Sequence, residues 1–187
     1  MVTELRIYFE GDVRLRSGFR SFLNEVYEAA RTKRCYVELV ATNGTPVQDY
    51  CDGLKANPDA WNVLLLDSDG PADCTHEELC RAKQIEPSRS DSVFWMVQIM
   101  ESWFLADANA LRACFGRRLQ EGSLKGNPKV EEIPKRDVEA RLKSIAGGKY
   151  HKVTDGVNLL TEIDPAKVRT AAPNCERMFV TILRGLQ

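Results

Sequence analysis

Two acidic signatures, each closing an apolar run, hold the clearest chemistry in this chain. The first is Tyr8-Phe9-Glu10-Gly11-Asp12, after the run Leu5 to Phe9, and the second is Leu64-Leu65-Leu66-Asp67-Ser68-Asp69-Gly70. Side chains two apart on a strand share a face, so Asp67 and Asp69 project together if strand geometry runs through them. A glycine after each acid lets the chain turn away and leaves the carboxylates near the surface. In an open parallel sheet, ligands bind outside the carboxyl ends of the strands. Glu10 facing Asp67 and Asp69 there makes an oxygen-rich pocket suited to a hard divalent cation such as Mg2+. The plainer reading is that Asp67 and Asp69 form a polar turn.

The elements that would position these acids follow from periodicity. Thr3 to Phe9 reads as a strand, and Leu15 to Arg31 as a helix with Leu15, Phe19, Phe22, Leu23, Val26 and Ala30 at helical spacing. Tyr36 to Ala41 is a second strand, followed by the turn residues Thr42-Asn43-Gly44. A helix starting at Thr45-Pro46 runs to about Ala56, because proline is tolerated in the first turn. Trp61 to Asp67 is apolar enough for a strand buried on both faces. A short helix is expected over Asp73–Lys83, a fourth strand over Ser92–Met100, and a helix from about Glu101 to Phe115, capped by Gly116. Strand–helix alternation predicts an α/β fold, a mainly parallel sheet of about four strands flanked by helices. Beyond it, Glu121 to Pro134 is loop-like, Lys135–Ala146 is a polar helix, and Gly147 to Lys152 is a flexible basic loop. Asp155–Ile163 and Pro173–Leu186 are short helices. The expected organisation is one domain, with a core over about 1–116 and a helical extension over about 117–187.

Composition narrows the function classes. The 187 residues suffice for one domain with a real core. The formal net charge of −1 supplies no global field toward nucleic acid or membrane, although local basic patches or a bound metal can still hold nucleic acid. No apolar run is long enough to span a bilayer and no signal pattern opens the chain, so a soluble cytoplasmic protein is expected. Cys35, Cys51, Cys74, Cys80, Cys114 and Cys175 form no C-x-x-C pair and read as free thiols in a reducing compartment. Cys74, His76 and Cys80 match no common zinc spacing.

The order Glu10-Gly11 then Asp67-Ser68-Asp69 resembles the Toprim superfamily, which includes topoisomerases, DnaG-type primases and OLD-type nucleases. The chain is more similar still to a bacterial Toprim-like group, the domain-of-unknown-function family 4276. That resemblance rests on Ile7 to Gly11, Leu65 to Asp69, and above all Met100-Glu101-Ser102-Trp103-Phe104-Leu105-Ala106-Asp107. It continues through Asn127-Pro128, Lys135-Arg136-Asp137-Val138, Lys149-Tyr150-His151-Lys152 and Ile163-Asp164-Pro165, so it covers nearly the whole chain. It implies a Toprim/Rossmann-like sheet and a metal-dependent nuclease. It also implies a phage-defence setting with an ABC- or SMC-type ATPase partner. Many relatives carry a further acid shortly after the first Glu, where this chain has Asp12-Val13-Arg14. That departure puts a two-metal mechanism in doubt.

Metal-assisted phosphodiester hydrolysis follows from this resemblance, with nucleic acid as substrate. Glu10, Asp67 and Asp69 would hold Mg2+ or Mn2+, and Glu101 would serve as a further ligand or general base. Acids this close should repel and raise one another's pKa values. Asp107, six residues on from Glu101, reads as a structural residue on another helix face. Lys149, His151 and Lys152 form the best basic cluster, with Lys152 placed to stabilise phosphoryl charge and His151 to move protons. A solvated loop explains them equally well. Arg14, Arg16 and Arg20 suit phosphate contacts or an exposed amphipathic face. Trp95, Trp103 and Phe104 belong to the core rather than to a base-stacking platform. The competing functions are a phosphatase or phosphoacceptor domain, and a non-catalytic metal- or partner-binding module.

Overall fold

The computed structural model describes residues 2–42, 44–71, 73–124 and 128–187. Asn43 of the expected turn and Asn127 of the Asn127-Pro128 motif lie outside them. The strands are β1 (Glu4–Glu10), β2 (Tyr36–Thr42), β3 (Trp61–Asp67) and β4 (Val93–Met96). They form one parallel sheet in the order β2-β1-β3-β4.

Alternation along the strands sorts side chains into two layers. Leu5, Ile7 and Phe9 of β1, Val63 and Leu65 of β3, and Phe94 and Met96 of β4 enter the larger core. Tyr8, Leu64, Leu66, Val93 and Trp95 enter a smaller one on the opposite face. The smaller layer is closed by Tyr50 of α3 (Pro46–Ala56) and by Leu79 and Cys80 of α4 (His76–Ala82). The larger is closed by α1 (Arg16–Phe22), α2 (Asn24–Thr32), α5 (Ala108–Phe115), α6 (Lys135–Ile145), α7 (Lys152–Glu162), α8 (Pro165–Ala171) and α9 (Pro173–Gly185). The later helices therefore extend the layer on one face of the sheet. No helix among the described residues is long and apolar enough to cross a membrane.

The connections define where a site can form. From β1 the chain crosses over the larger layer through α1 and α2 to β2. From β2 it crosses over the other layer through α3 to β3, on the far side of β1. The winding reverses between β1 and β3, and a crevice opens there at the carboxyl ends of the strands. Glu10 is the last residue of β1 and Asp67 the last of β3.

Three of the expected elements take a different form, and one helix is additional. The helix expected over Leu15–Arg31 is a 3-10 turn, Val13–Leu15, followed by α1 and α2, with Leu23 at the break. The fourth strand stops at Met96 because Gln98 takes a positive φ of 63°. Its backbone N–H donates to Ser68 Oγ (2.9 Å), and its carbonyl accepts from the Asp69 N–H (3.1 Å). The helix expected from Glu101 is a 3-10 segment, Met100–Ala106, separated from α5 by extended Asp107. The Asp107 carboxylate accepts from the Asn109 N–H (3.0 Å) as the N-cap of α5. It also accepts from the Asp164 N–H (3.2 Å) and from Lys167 Nζ (2.7 Å), which confirms its structural role. Helix α8 was not expected.

Helix α7 lies close on α1. A Cβ at Gly18 would fall 2.7 Å from Leu160 Cβ and 3.0 Å from the Val157 carbonyl oxygen, so only glycine lets these helices approach this way. That approach fixes the start of α7, and with it Lys152, over the switch-point crevice.

Candidate active site

The crevice is a cavity of about 330 Å3, and Glu10, Asp12, Thr42, Asp67, Glu101 and Lys152 are among its lining residues. Each acid is held differently. Glu10 Oε2 accepts from the Asp67 N–H (3.2 Å), which ties the ends of β1 and β3 together. Asp67 Oδ1 accepts from the Met100 N–H (2.8 Å), which draws the 3-10 segment onto the sheet edge. That bond places Glu101, one residue further on, against the crevice floor. Glu101 is 1% exposed, and neither carboxylate oxygen has a hydrogen-bond partner. Lys152 Nζ lies 3.3 Å from Glu101 Oε1, within ion-pair distance but without hydrogen-bond alignment.

The electrostatics follow from this crowding. Burial, then the charges of Glu101 and Glu10, push the Asp67 carboxyl up to about 8. The Met100 N–H and Lys152 oppose the rise without cancelling it. Asp12 stands apart from this trio. It accepts from the Arg14 side chain and backbone, and these bonds hold it at about 2.

The structure brings together only part of the expected set. Glu10, Asp67, Glu101 and Lys152 share the crevice. Asp69 does not line it, because β3 ends at Asp67 and Asp69 turns to φ 51°. Its carboxylate is taken by Lys135 Nζ (2.8 Å) and Lys83 Nζ (3.0 Å). Burial works against its charge, but the two lysines hold it below the usual carboxylate range. Asp67 and Asp69 therefore do not project together. His151 is exposed at the N-cap position of α7, where its backbone N–H donates to Asp155 Oδ2 (2.8 Å), and it lines a neighbouring cleft. Arg16 and Arg20 are both exposed on α1, whereas Trp95, Trp103 and Phe104 are fully buried. The six cysteines are free thiols. Sequence reasoning gave Tyr150 no role, yet its hydroxyl is buried without a partner, and burial, then the charge of Glu101, pushes it well above the usual tyrosine range. Its place beside the basic pair His151-Lys152 was the available signal.

A divalent cation fits these side chains in one specific respect. Glu101 is a buried carboxylate with four lone-pair sites and no donor, which is an arrangement that a hard cation satisfies. Among the described residues, no group of three or more His, Cys, Asp or Glu is placed so that it could hold a metal ion by itself. The fit is therefore to a cation held partly by water, as Mg2+ usually is.

A parallel α/β sheet with an acidic crevice at its switch point defines the class. The chain belongs to the family described as DUF4276, a domain of unknown function, which matches residues 14–183. Glu10 lies just before the matched segment. The fold is that of the C-terminal region of OLD proteins. The Burkholderia pseudomallei example superposes with a TM-score of 0.58 at 13% identity, covering 100% of both chains. The Xanthomonas campestris pv. campestris example gives 0.52 at 16% identity, covering 98% of this chain and 95% of that one. No curated protein matches the sequence.

Proposed function

We propose that this protein is a divalent-metal-dependent nuclease that hydrolyses phosphodiesters in nucleic acid. The observation that carries the proposal is the convergence of Glu10, Asp67 and donor-less Glu101 on one crevice at the switch point of the sheet. Likeness in fold to OLD C-terminal regions and membership of DUF4276 support it. Glu10, Asp67 and Glu101 would hold Mg2+ or Mn2+, with Asp69 available if it releases its lysines. When bound, the metal polarises the phosphoryl oxygens and supplies a nucleophilic water.

The chain's own residues do the rest. Glu10 keeps the two strand ends in register through the Asp67 N–H. Lys152 enters the crevice from α7 and offsets charge gathering on a phosphoryl oxygen. Lys135 and Lys83 hold Asp69 outside, so the crevice carries less negative charge towards an incoming phosphate. Action beside an ATPase in phage defence and a cytoplasmic location, consistent with six free thiols, complete the proposal.

The deciding experiment is cleavage of mixed DNA and RNA substrates with Mg2+, Mn2+ or EDTA, by wild type and Glu10→Gln. Cleavage that needs metal and vanishes in the variant supports the proposal. Absence of both cleavage and metal-induced stabilisation overturns it. A non-catalytic binding module is the second reading, favoured by the lysine contacts on Asp69 and by Lys152 against Glu101. Metal binding without cleavage selects that reading.

A further inference from the structure

A second cleft adjoins the acidic crevice, and the two share Glu101 and Lys152 as a common wall. It is a cavity of about 460 Å3, and its other lining residues include Glu139, Lys143, Lys149 and Tyr150. We propose that this cleft seats the phosphodiester next along a nucleic-acid strand whose scissile phosphate lies in the first crevice. This inference rests on the hydrolytic reading of the crevice and adds where the strand runs.

Three observations support it. Lys143 and Lys149 are exposed, and among the described residues their ammonium groups have no ion-pair partner. Lys83, Lys135, Lys152 and Lys167 are each committed to a carboxylate. Tyr150 lines the cleft, and its hydroxyl is buried beside it without a hydrogen-bond partner in the protein. Finally, the loop presenting Lys149 is braced. Arg118 donates to the Lys149 carbonyl (3.0 Å) and pairs with Asp155 (3.0 Å). A Cβ at Gly147, where φ is 64°, would fall 2.7 Å from the Arg118 carbonyl oxygen. The loop is thus preset against the segment that carries Arg118. Lys143, Lys149 and Lys152 outnumber Glu101 and Glu139, so the cleft favours an anion.

The test is anisotropy of a labelled single-stranded oligonucleotide in Ca2+ over a range of salt, with wild type, the double variant Lys143→Ala/Lys149→Ala, and Glu139→Gln. Lys55→Ala serves as control, because α3 ends at the opposite end of the sheet. Each lost lysine should lower the log–log salt slope by about 0.7, which is about 5-fold in affinity at 0.1 M salt. Glu139→Gln should tighten binding, and Lys55→Ala should change nothing. Melting temperatures should stay at the wild-type value, because both cleft lysines are exposed. An unchanged slope in the double variant, weaker binding in Glu139→Gln, or no binding by wild type overturns the proposal. Displacement by inorganic phosphate as effective as by the strand also overturns it, because the cleft then takes free phosphate. Hydrolysis of bis(p-nitrophenyl) phosphate, too small to reach the second cleft, is read in parallel. If it persists while the slope test fails, only this inference falls. If it is absent from wild type, the hydrolytic reading falls.

Discussion

Replacing Glu101 by glutamine separates what this carboxylate does for stability from what it does for the site. Glu101 is 1% exposed, has no hydrogen-bond donor, and lies close enough to Asp67 to help raise its pKa. Leaving a buried polar group unsatisfied costs about 1–3 kcal/mol, and more when it is charged. The Lys152 side chain is 60% exposed, so its attraction returns only about 0–1 kcal/mol. Glutamine keeps the shape and removes the charge but leaves its amide to be satisfied, so the net gain should be about 1–2 kcal/mol. For a chain of this size that is a rise of about 2–8 °C in melting temperature in EDTA. Adding Mg2+ or Mn2+ should raise the wild-type value and leave Glu101→Gln almost unmoved. Differential scanning calorimetry with EDTA and with metal reads both arms. A lower melting temperature for the variant in EDTA would refute the reasoning, because Lys152 would then stabilise Glu101 by more than its burial costs.

Other outcomes follow from the same structure. Asp67 has a folded pKa of about 8 against an ordinary 3.8, so the fold favours its protonated form. That stability is fully present below the ordinary value and is lost as pH rises toward 8. Melting temperature in EDTA should therefore fall between pH 5 and 8, and Asp67→Asn should flatten this slope. Gly18→Ala forces a methyl against Leu160, and overpacking of about 1–3 kcal/mol should outweigh the roughly 1 kcal/mol helix-propensity gain. Urea denaturation should show a lower midpoint at constant m. Asp107→Ala removes the cap of α5 and leaves the Asp164 N–H and Lys167 unpaired. A loss of about 2–4 kcal/mol is expected by chemical denaturation, with Asp107→Asn retaining part of it.

The sheet was legible because β3 and β4 are apolar on both faces, a pattern that buried parallel strands require, and because Leu5, Ile7 and Phe9 alternate along β1. Glu10 and Asp67 were legible as acids at strand ends. Asp69 was misplaced because strand periodicity was extended one residue pair too far. The Ser68 hydroxyl, which accepts from the Gln98 N–H, belongs to a lacing of two loops that no periodicity reports. The break before α5 was missed because Trp103, Phe104 and Leu105 continue a helical apolar pattern through Asp107. Asp107 caps α5 through the Asn109 N–H, and the other partners that hold its carboxylate, Asp164 and Lys167, lie 57 and 60 residues away in sequence. Lys152 was legible as part of a basic cluster and of the family resemblance, and the close packing of α7 on α1 is what brings it to the acids.

That packing also gives the crevice a timetable. Its acids stand at residues 10, 67 and 101, while its cation arrives on a helix starting at residue 152. A chain emerging from the ribosome in order has the acids exposed before anything covers them. The crevice is complete only once the late helices dock. An amide-exchange experiment on the native protein would see the same dependence in reverse. Transient release of α7 would open the site without melting the sheet, so protection of the amides in the interior of α7, such as Leu159 and Leu160, would report the competent state more directly than protection at Glu10 or Asp67.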